Sequence, residues 1–292
     1  MNKIKIGFIG QGWIGKNYAD DFEKRGFDVV RYSQEDPYIK NKGKIKDCDI
    51  VFIAVPTPTT PSGFDLGIVK KVIKLVGKGR VVVLKSTILP GSTEMIQKEN
   101  PSIYVMHSPE FLTETTAAYD AAKPKRNIIG YVHEDGRKMA NFVMKLLPDA
   151  PYKAVVPAKV AELIKYGGNC WFYFKVVFIN MLYDLARELG VDYEMVKDGM
   201  SFDPRIGFTH LEPIHKSGRG AGGKCFIKDF AAFSKMYNEL LPDDFEGKML
   251  LSYMENKNVV LLKDSKKDLY LLEGVYGKHI KNDMKNVKKL NN

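Results

Sequence analysis

Gly10-Gln11-Gly12-Trp13-Ile14-Gly15 follows the apolar run Ile4-Lys5-Ile6-Gly7-Phe8-Ile9 and opens a helical pattern. A pyrophosphate cradle needs that order. One glycine makes a tight turn, the next lets backbone approach the phosphates, and the third lets helix and strand pack closely. The first N–H groups of the helix and the positive end of its dipole complete an anion site. Taken alone, Gly-x-Gly-x-x-Gly is also compatible with a plain glycine-rich turn. Its place inside a β-α-β unit favours the dinucleotide reading.

Outward from this stretch, short β-branched runs alternate with amphipathic segments. Candidate strands span residues 4–9, 28–32, 50–55, 81–85, 103–106 and 127–131, with helical patterns at 16–25 and 66–76. Near-continuous apolar strands with helices between them predict a parallel sheet covered on both faces, the doubly wound α/β arrangement. Domain 1 is expected over residues 1–150, as a Rossmann domain. The pattern then changes to one helix over 157–189, about 50 Å long, with Pro157 in its first turn and Gly190 as its C-terminal cap. Val160, Ile164, Trp171, Phe174, Phe178, Met181, Leu185 and Leu189 form an apolar stripe along it, the expected seam of a homodimer. Two mid-helix glycines, Gly167 and Gly168, each cost about 1 kcal/mol relative to Ala, which suggests that something packs close to them. Shorter helices are expected near 193–199 and after Cys225. An all-helical central domain over 151–240 follows from this, with a weakly patterned remnant and flexible basic tail over 241–292.

Composition narrows the partners. The chain has 292 residues, 45% hydrophobic and 27% charged, with a net charge of +10. That balance is ordinary for a soluble globular protein, and the positive excess suggests an anionic partner. Part of the excess lies in a Lys/Asn-rich end, residues 278–289, and no nucleic-acid-binding signature is present. No apolar run reaches the roughly 20 residues needed to span a bilayer, and the start lacks the features of a signal peptide. Cys48, Cys170 and Cys225, an odd number at wide spacing, argue for a reducing compartment and a cytoplasmic location. No His/Cys cluster has metal-ligand spacing, so no metal is expected.

Cys225 is the best candidate nucleophile. It follows Gly218-Arg219-Gly220-Ala221-Gly222-Gly223-Lys224 and begins a helical pattern. A thiol at a helix N-terminus beside a lysine gains thiolate character, and the glycines are expected to admit a substrate to the backbone. Asp229 lies one turn on. Cys48 and Cys170 read as small buried hydrophobes. Lys165 and Asn169 form a second pair, one turn apart on the long helix. Two strand ends, Lys85-Ser86-Thr87 and Ser108-Pro109-Glu110-Phe111-Leu112-Thr113-Glu114, place Thr87, Glu110 and Glu114 where a doubly wound sheet binds its ligands. The acid that usually binds the cofactor ribose is absent from the end of the second strand. Ser33 takes that position, with Glu35 and Asp36 beyond it. A hydroxyl beside an arginine leaves NADP open; Ser33 bonding the ribose, or Glu35 reaching back, fits NAD.

Together these segments resemble the UDP-glucose/GDP-mannose dehydrogenase family. The likeness also rests on Val55-Pro56-Thr57-Pro58 with Asp65-Leu66, on Ala161 to Asn169, on Asp203-Pro204-Arg205-Ile206-Gly207 and on Gly222-Gly223-Lys224-Cys225-Phe226-Ile227-Lys228-Asp229. It covers about the first 240 residues. The resemblance implies oxidation of C6 of a nucleotide sugar to the carboxylate with NAD. Cys225 would form a thiohemiacetal and then a thioester. Asp229 and Lys165 would hold water and stabilise an oxyanion, Asn169 would position the sugar, Thr87 and Glu114 would assist proton transfer, and Glu110 would assist hydrolysis. Cofactor contacts would come from Gly10, Gly12, Trp13, Ile14 and Gly15, from Ser33, and from Val55, Pro56, Thr57, Thr87 and Glu114. Substrate contacts would come from Glu110, Phe111 and Leu112, from Lys165 and Asn169, and from Arg205, Lys216 and Gly222. The family continues into a second Rossmann-like domain that holds the substrate nucleotide, for which residues 241–292 are too few, so the chain reads as a C-terminally shortened member. Two alternatives remain at this point: a dehydrogenase for a smaller or different anionic acceptor, and a non-catalytic cofactor-binding homologue.

Overall fold

The computed structural model describes residues 4–278. The chain runs β1 (Lys5–Ile9), α1 (Trp13–Lys24), β2 (Asp28–Tyr32), a 3-10 stretch (Tyr38–Asp47), β3 (Ile50–Ile53), the short strands β4 (Thr59–Thr60) and β5 (Gly63–Phe64), α2 (Gly67–Val72), β6 (Val81–Leu84), α3 (Ser92–Glu99), β7 (Tyr104–His107), α4 (Ala117–Ala122), β8 (Arg126–Tyr131), α5 (Glu134–Leu146) and β9 (Tyr152–Pro157). There follow α6 (Ala158–Glu188), α7 (Tyr193–Ser201), β10 (Ile214–His215), β11 (Gly218–Arg219), α8 (Gly223–Leu240), α9 (Phe245–Asp264) and α10 (Leu269–Tyr276). Two compact units result: Met1–Thr57 with Asp65–Lys165, and Pro58–Phe64 with Tyr166–Asn292. The boundary falls inside α6.

The first unit is the doubly wound sheet, in the order β2-β1-β3-β6-β7-β8-β9. All neighbouring pairs are parallel except β7–β8, which is antiparallel. β3 and β6 are buried at every residue, which is why their sequences carry no polar alternation. Phe8 stacks on Phe52 with ring centroids 5.0 Å apart, and Phe22 of α1 meets Phe8 edge-on at 5.4 Å. From β1 the chain passes to β2 on one side, then returns to β3 on the other. The carboxyl ends of β1 and β3 therefore flank the switch point where such sheets bind ligands.

The sequence reading missed β9 and gave Pro157 to the long helix. Pro157 instead ends β9, and α6 begins at Ala158. β9 is an edge strand with no fully buried residue, so it lacks the apolar run that reveals the others, and an edge tolerates proline. Glu162, fully buried on α6, accepts the N–H groups of Gly91 and Thr93 and the Thr93 hydroxyl. It thereby caps α3. At the far end Gly190 takes φ +67, the left-handed cap expected of it.

The second unit is helical apart from two small hairpins. Tyr173 of α6 stacks on Phe230 of α8 at 3.9 Å, within a core that includes Cys170, Val177, Ala221 and Leu251. Ile227, Val259, Leu262, Leu272 and Val275 join α8, α9 and α10 in a second cluster. The β4–β5 hairpin belongs to this unit, although it departs from the first unit's sequence.

Residues 241–278 therefore differ from the expected weakly patterned remnant: they form two helices with buried cores. α9 escaped the pattern because its apolar residues lie on several faces, with Leu250 and Tyr253 exposed and Leu251 buried. Its inner face also carries polar Asn258, buried, and Glu255. Most of the expected basic tail, residues 279–292, lies outside the described residues. Among the described residues, no helix is long and apolar enough to cross a membrane.

Candidate active site

The cradle is built at the switch point, as the opening motif implied. Gly10 has φ +92, and a Cβ there would meet Ala54 O at 2.1 Å. A Cβ at Gly15 would meet Gly10 O at 2.0 Å. Gly12 differs: among the described residues, nothing lies within 4 Å of its Cβ position. It is the N-cap of α1, with no side chain capping the helix. The turn is thus closed by two glycines and left open at the third, beside uncapped N–H groups, which fits a pyrophosphate. The β3 and β6 ends are clipped together. Ser86 Oγ accepts Val55 N–H at 3.0 Å and donates to Val55 O at 2.7 Å, while Thr57 Oγ1 donates to Thr87 O at 2.6 Å. Trp13 is partly exposed at the start of α1, followed by half-buried Ile14, and Pro56 lies between the clipped residues Val55 and Thr57.

At the end of β2, Ser33 Oγ engages the backbone of Glu35. Arg31 is committed elsewhere. Its guanidinium binds Glu23 at 2.6 and 2.8 Å and Asp20 at 2.7 Å, and it is 7% exposed. The arginine that kept NADP open is therefore spent on α1.

A second polar cluster lies in the same unit. Lys165 Nζ donates to Glu110 O at 2.8 Å and to Glu110 Oε1 at 2.7 Å, and the other carboxylate oxygen accepts Leu112 N–H at 2.9 Å. The Phe111 ring centroid is 3.6 Å from Arg126 Cζ and 5.8 Å from Lys165 Nζ. Lys85 is buried beside them, with Nζ 3.1 Å from Ser108 Oγ and 4.2 Å from the Tyr18 ring centroid. Burial pulls the Lys85 ammonium down to about 7, with Lys165 adding to the shift and Glu110 opposing it. The sequence reading treated Lys85 only as part of a polar strand end. Glu114 is exposed at the start of a 3-10 turn.

In the second unit Cys225 is the third residue of α8, partly exposed. Asp229, one turn on, is 1% exposed. Its two oxygens are taken by Asn169 Nδ2 at 2.6 Å and by Lys228 Nζ. Cys48 and Cys170 are buried, and burial pushes both thiols up, Cys48 to about 11. Arg205 is exposed and forks onto Asp203. Lys216 sits in the turn of the β10–β11 hairpin with φ +57.

Among the described residues nothing lies within 4 Å of a Cβ at Gly167 or Gly168, so none of them packs closely there. In the loop before Cys225, Gly218, Gly220 and Gly222 face the protein, whereas a Cβ at Gly223 would meet nothing within 4 Å among the described residues. A Cβ at Gly218 would meet Ser265 Oγ at 2.5 Å, at Gly220 Asn258 Oδ1 at 2.9 Å, and at Gly222 Asp268 Oδ2 at 2.2 Å. Ser265, Asn258 and Asp268, in the stretch expected to be a weakly patterned remnant, dictate Gly218, Gly220 and Gly222.

Sheet order and cradle define an α/β chain of the dinucleotide-binding type. The chain belongs to the UDP-glucose/GDP-mannose dehydrogenase family: the family's NAD binding domain matches residues 38–147 and its central domain residues 159–255. It is 34% identical over 251 residues to UDP-glucose 6-dehydrogenase YwqF of Bacillus subtilis, covering 81% of this chain and 54% of that protein. It is 34% identical over 279 residues to UDP-glucose 6-dehydrogenase of Rhizobium meliloti, covering 80% and 63%. A UDP-glucose dehydrogenase structure from the archaeon Pyrobaculum islandicum superposes with a TM-score of 0.74 at 28% identity, over 87% of this chain and 68% of that one. The chain thus spans little more than half the length of these curated relatives.

Proposed function

We propose that this chain oxidises the C6 alcohol of a nucleotide sugar, UDP-glucose-like, to the carboxylate with NAD. The observation that carries the reading is the Asn169–Asp229 bond between α6 and α8, one turn from a thiol at the start of α8. A binding module has no use for a thiol, a buried carboxylate and an amide so arranged. When bound at the cradle, NAD supplies the hydride acceptor for both oxidations. Cys225 Sγ adds to the C6 aldehyde, and oxidation of that adduct leaves a thioester. Water then cleaves the C–S bond, releasing the carboxylate and restoring the thiol. Asp229, fixed by Asn169 and Lys228, orients the water. Lys165 stabilises the oxyanion. Glu110 takes part in hydrolysis, and Thr87 and Glu114 in proton transfer. Arg205, Lys216, Phe111, Leu112 and the backbone at Gly222 contact the substrate. A homodimer is part of the same reading, through the exposed side of α6.

Incubation of the purified chain with NAD and a panel of nucleotide sugars, following reduced nicotinamide and acid, tests this. Cys225→Ser is expected to abolish acid formation while NAD still binds, and Cys48→Ser to change stability at most. Acid made by Cys225→Ser at the wild-type rate overturns the covalent route.

A further inference from the structure

The loop before Cys225 is held by a segment that lies beyond the matched part of the central domain. Every second residue from 218 to 222 is glycine, and the chain bends at Gly220, which takes φ +89. Ser265, Asn258 and Asp268 stand against Gly218, Gly220 and Gly222 in turn, each within 3 Å of where a Cβ would be. The backbone between the glycines is bonded to the same residues. Arg219 N–H donates to Ser265 Oγ at 3.0 Å, and Ala221 N–H to Asn258 Oδ1 at 2.7 Å. Asn258 Nδ2 returns a bond to Ala221 O at 3.0 Å. Buried Lys267 reaches Gly220 O at 2.9 Å and Gly218 O at 3.3 Å.

Asp268 completes the set. It is the N-cap residue of α10, yet its carboxylate makes no bond to that helix. Asp268 Oδ2 instead accepts Gly223 N–H, the first of α8, at 2.7 Å. α8 has no side-chain cap of its own, because its N-cap is Gly222. Lys266 and Asp268 both take left-handed backbone, φ +55 and +53, a conformation that costs non-glycine residues energy and persists where surroundings impose it.

We propose that residues 265–268, with Asn258, are a positioning device for Cys225: they fix the loop that presents the thiol, and Asp268 sets the charge at the start of its helix. The inference rests on Cys225 being the nucleophile. Two residues before the thiol, the Asp268 carboxylate occupies an N–H and offsets part of the helix dipole that favours a thiolate. The charged groups on the packed elements include Lys224, Lys228 and Asp229 of α8, Lys216 and Arg219 of the hairpin, Glu255, Lys257, Lys263 and Asp264 of α9, Lys266 and Lys267 beside Asp268, and Glu273 of α10. Burial lowers the Lys267 ammonium from its ordinary value, partly offset by Asp268.

The test is the rate at which iodoacetamide alkylates Cys225 as a function of pH, where the thiolate displaces iodide, with Cys225→Ser as the blank. Asp268→Asn keeps an acceptor for Gly223 N–H and removes the charge. It is expected to shift the midpoint down by about 0.5 pH units, alkylating about threefold faster well below it, with the same alkaline plateau. Should that variant not fold, Asp268→Ser, a neutral cap, must give the same shift. In Ser265→Ala, the Arg219 amide should exchange with deuterium about fivefold faster. A reactive wild-type Cys225 whose profile ignores Asp268→Asn, or an Arg219 amide indifferent to Ser265→Ala, overturns this inference alone. A wild-type Cys225 inert at every pH overturns the nucleophile reading with it.

Discussion

Lys165 makes two bonds to one partner, giving its ammonium protons to both the carbonyl and the carboxylate of Glu110 at 2.8 and 2.7 Å. The side chains are 9% and 4% exposed. A buried pair of this kind adds little net stability, whereas half of one is costly, because a desolvated charge loses its partner. Lys165→Met is therefore expected to destabilise the chain by about 3–5 kcal/mol. Glu110→Gln, which keeps an acceptor oxygen, should cost less. Denaturant unfolding measures both, and equal, small losses would show the pair to be solvated.

Lys85 gives stability a pH dependence. Its folded value of about 7 lies below the 10.5 of an unfolded lysine. Between those values the unfolded chain binds the extra proton, so stability rises with pH across that window. Below about pH 7 both states are protonated, and the cost of burying the ammonium is present in full. Lys85→Met removes the ammonium and the Ser108 bond together. Its melting temperature relative to wild type should be higher at pH 6 than at pH 9. A pH-independent difference would mean that Lys85 titrates as an exposed lysine.

Two of the cradle glycines should separate folding from cofactor binding. Gly15→Ala places a Cβ 2.0 Å from Gly10 O, whereas Gly12→Ala meets nothing within 4 Å. Gly15→Ala is expected to lower the melting temperature. Gly12→Ala should keep it and weaken NAD binding, read by calorimetry, because its Cβ enters the space kept for phosphate. Equal NAD affinity in Gly12→Ala would place the pyrophosphate elsewhere.

These glycines also show what the sequence could and could not reveal. Gly10 and Gly15 answer to backbone at the ends of β1 and β3, and Gly12 to the open space beside them, all around one strand-to-helix turn whose glycine order is visible in the sequence. So too for β3 and β6, whose burial on both faces leaves unbroken apolar runs. Gly218, Gly220 and Gly222 answer to Asn258, Ser265 and Asp268, some 40 residues away. Their spacing was visible, but not what filled the space beside them. α9 and the edge strand β9 were hidden for a related reason: neither presents one clean apolar face. The Asn169–Asp229 pair was legible only as two helical spacings, because the bond joining them runs between α6 and α8.

The apolar stripe expected along α6 is only partly what the structure contains. Phe174 turns inward to meet Phe230 edge-on at 5.4 Å, and Ile164 is half-buried. Trp171, Phe178, Met181, Leu185 and Leu189 remain exposed, Trp171 at 63% and Leu189 at 67%. Trp171, Phe178 and Leu185 recur every seven residues, which returns them to one side of the helix every two turns. Full burial of such side chains contributes about 1.5–3 kcal/mol each, and fully buried aromatic anchors of this kind dominate interfaces. A second α6 laid against this side offers the same residues in return, as two-fold contacts require. The wild-type chain is therefore expected to sediment as a dimer. Trp171→Glu with Leu185→Glu should give a monomer with an unchanged melting profile, since neither side chain contributes to the buried core. A wild-type chain that sediments as a monomer at every accessible concentration, or a double variant that remains a dimer, would remove α6 from the interface.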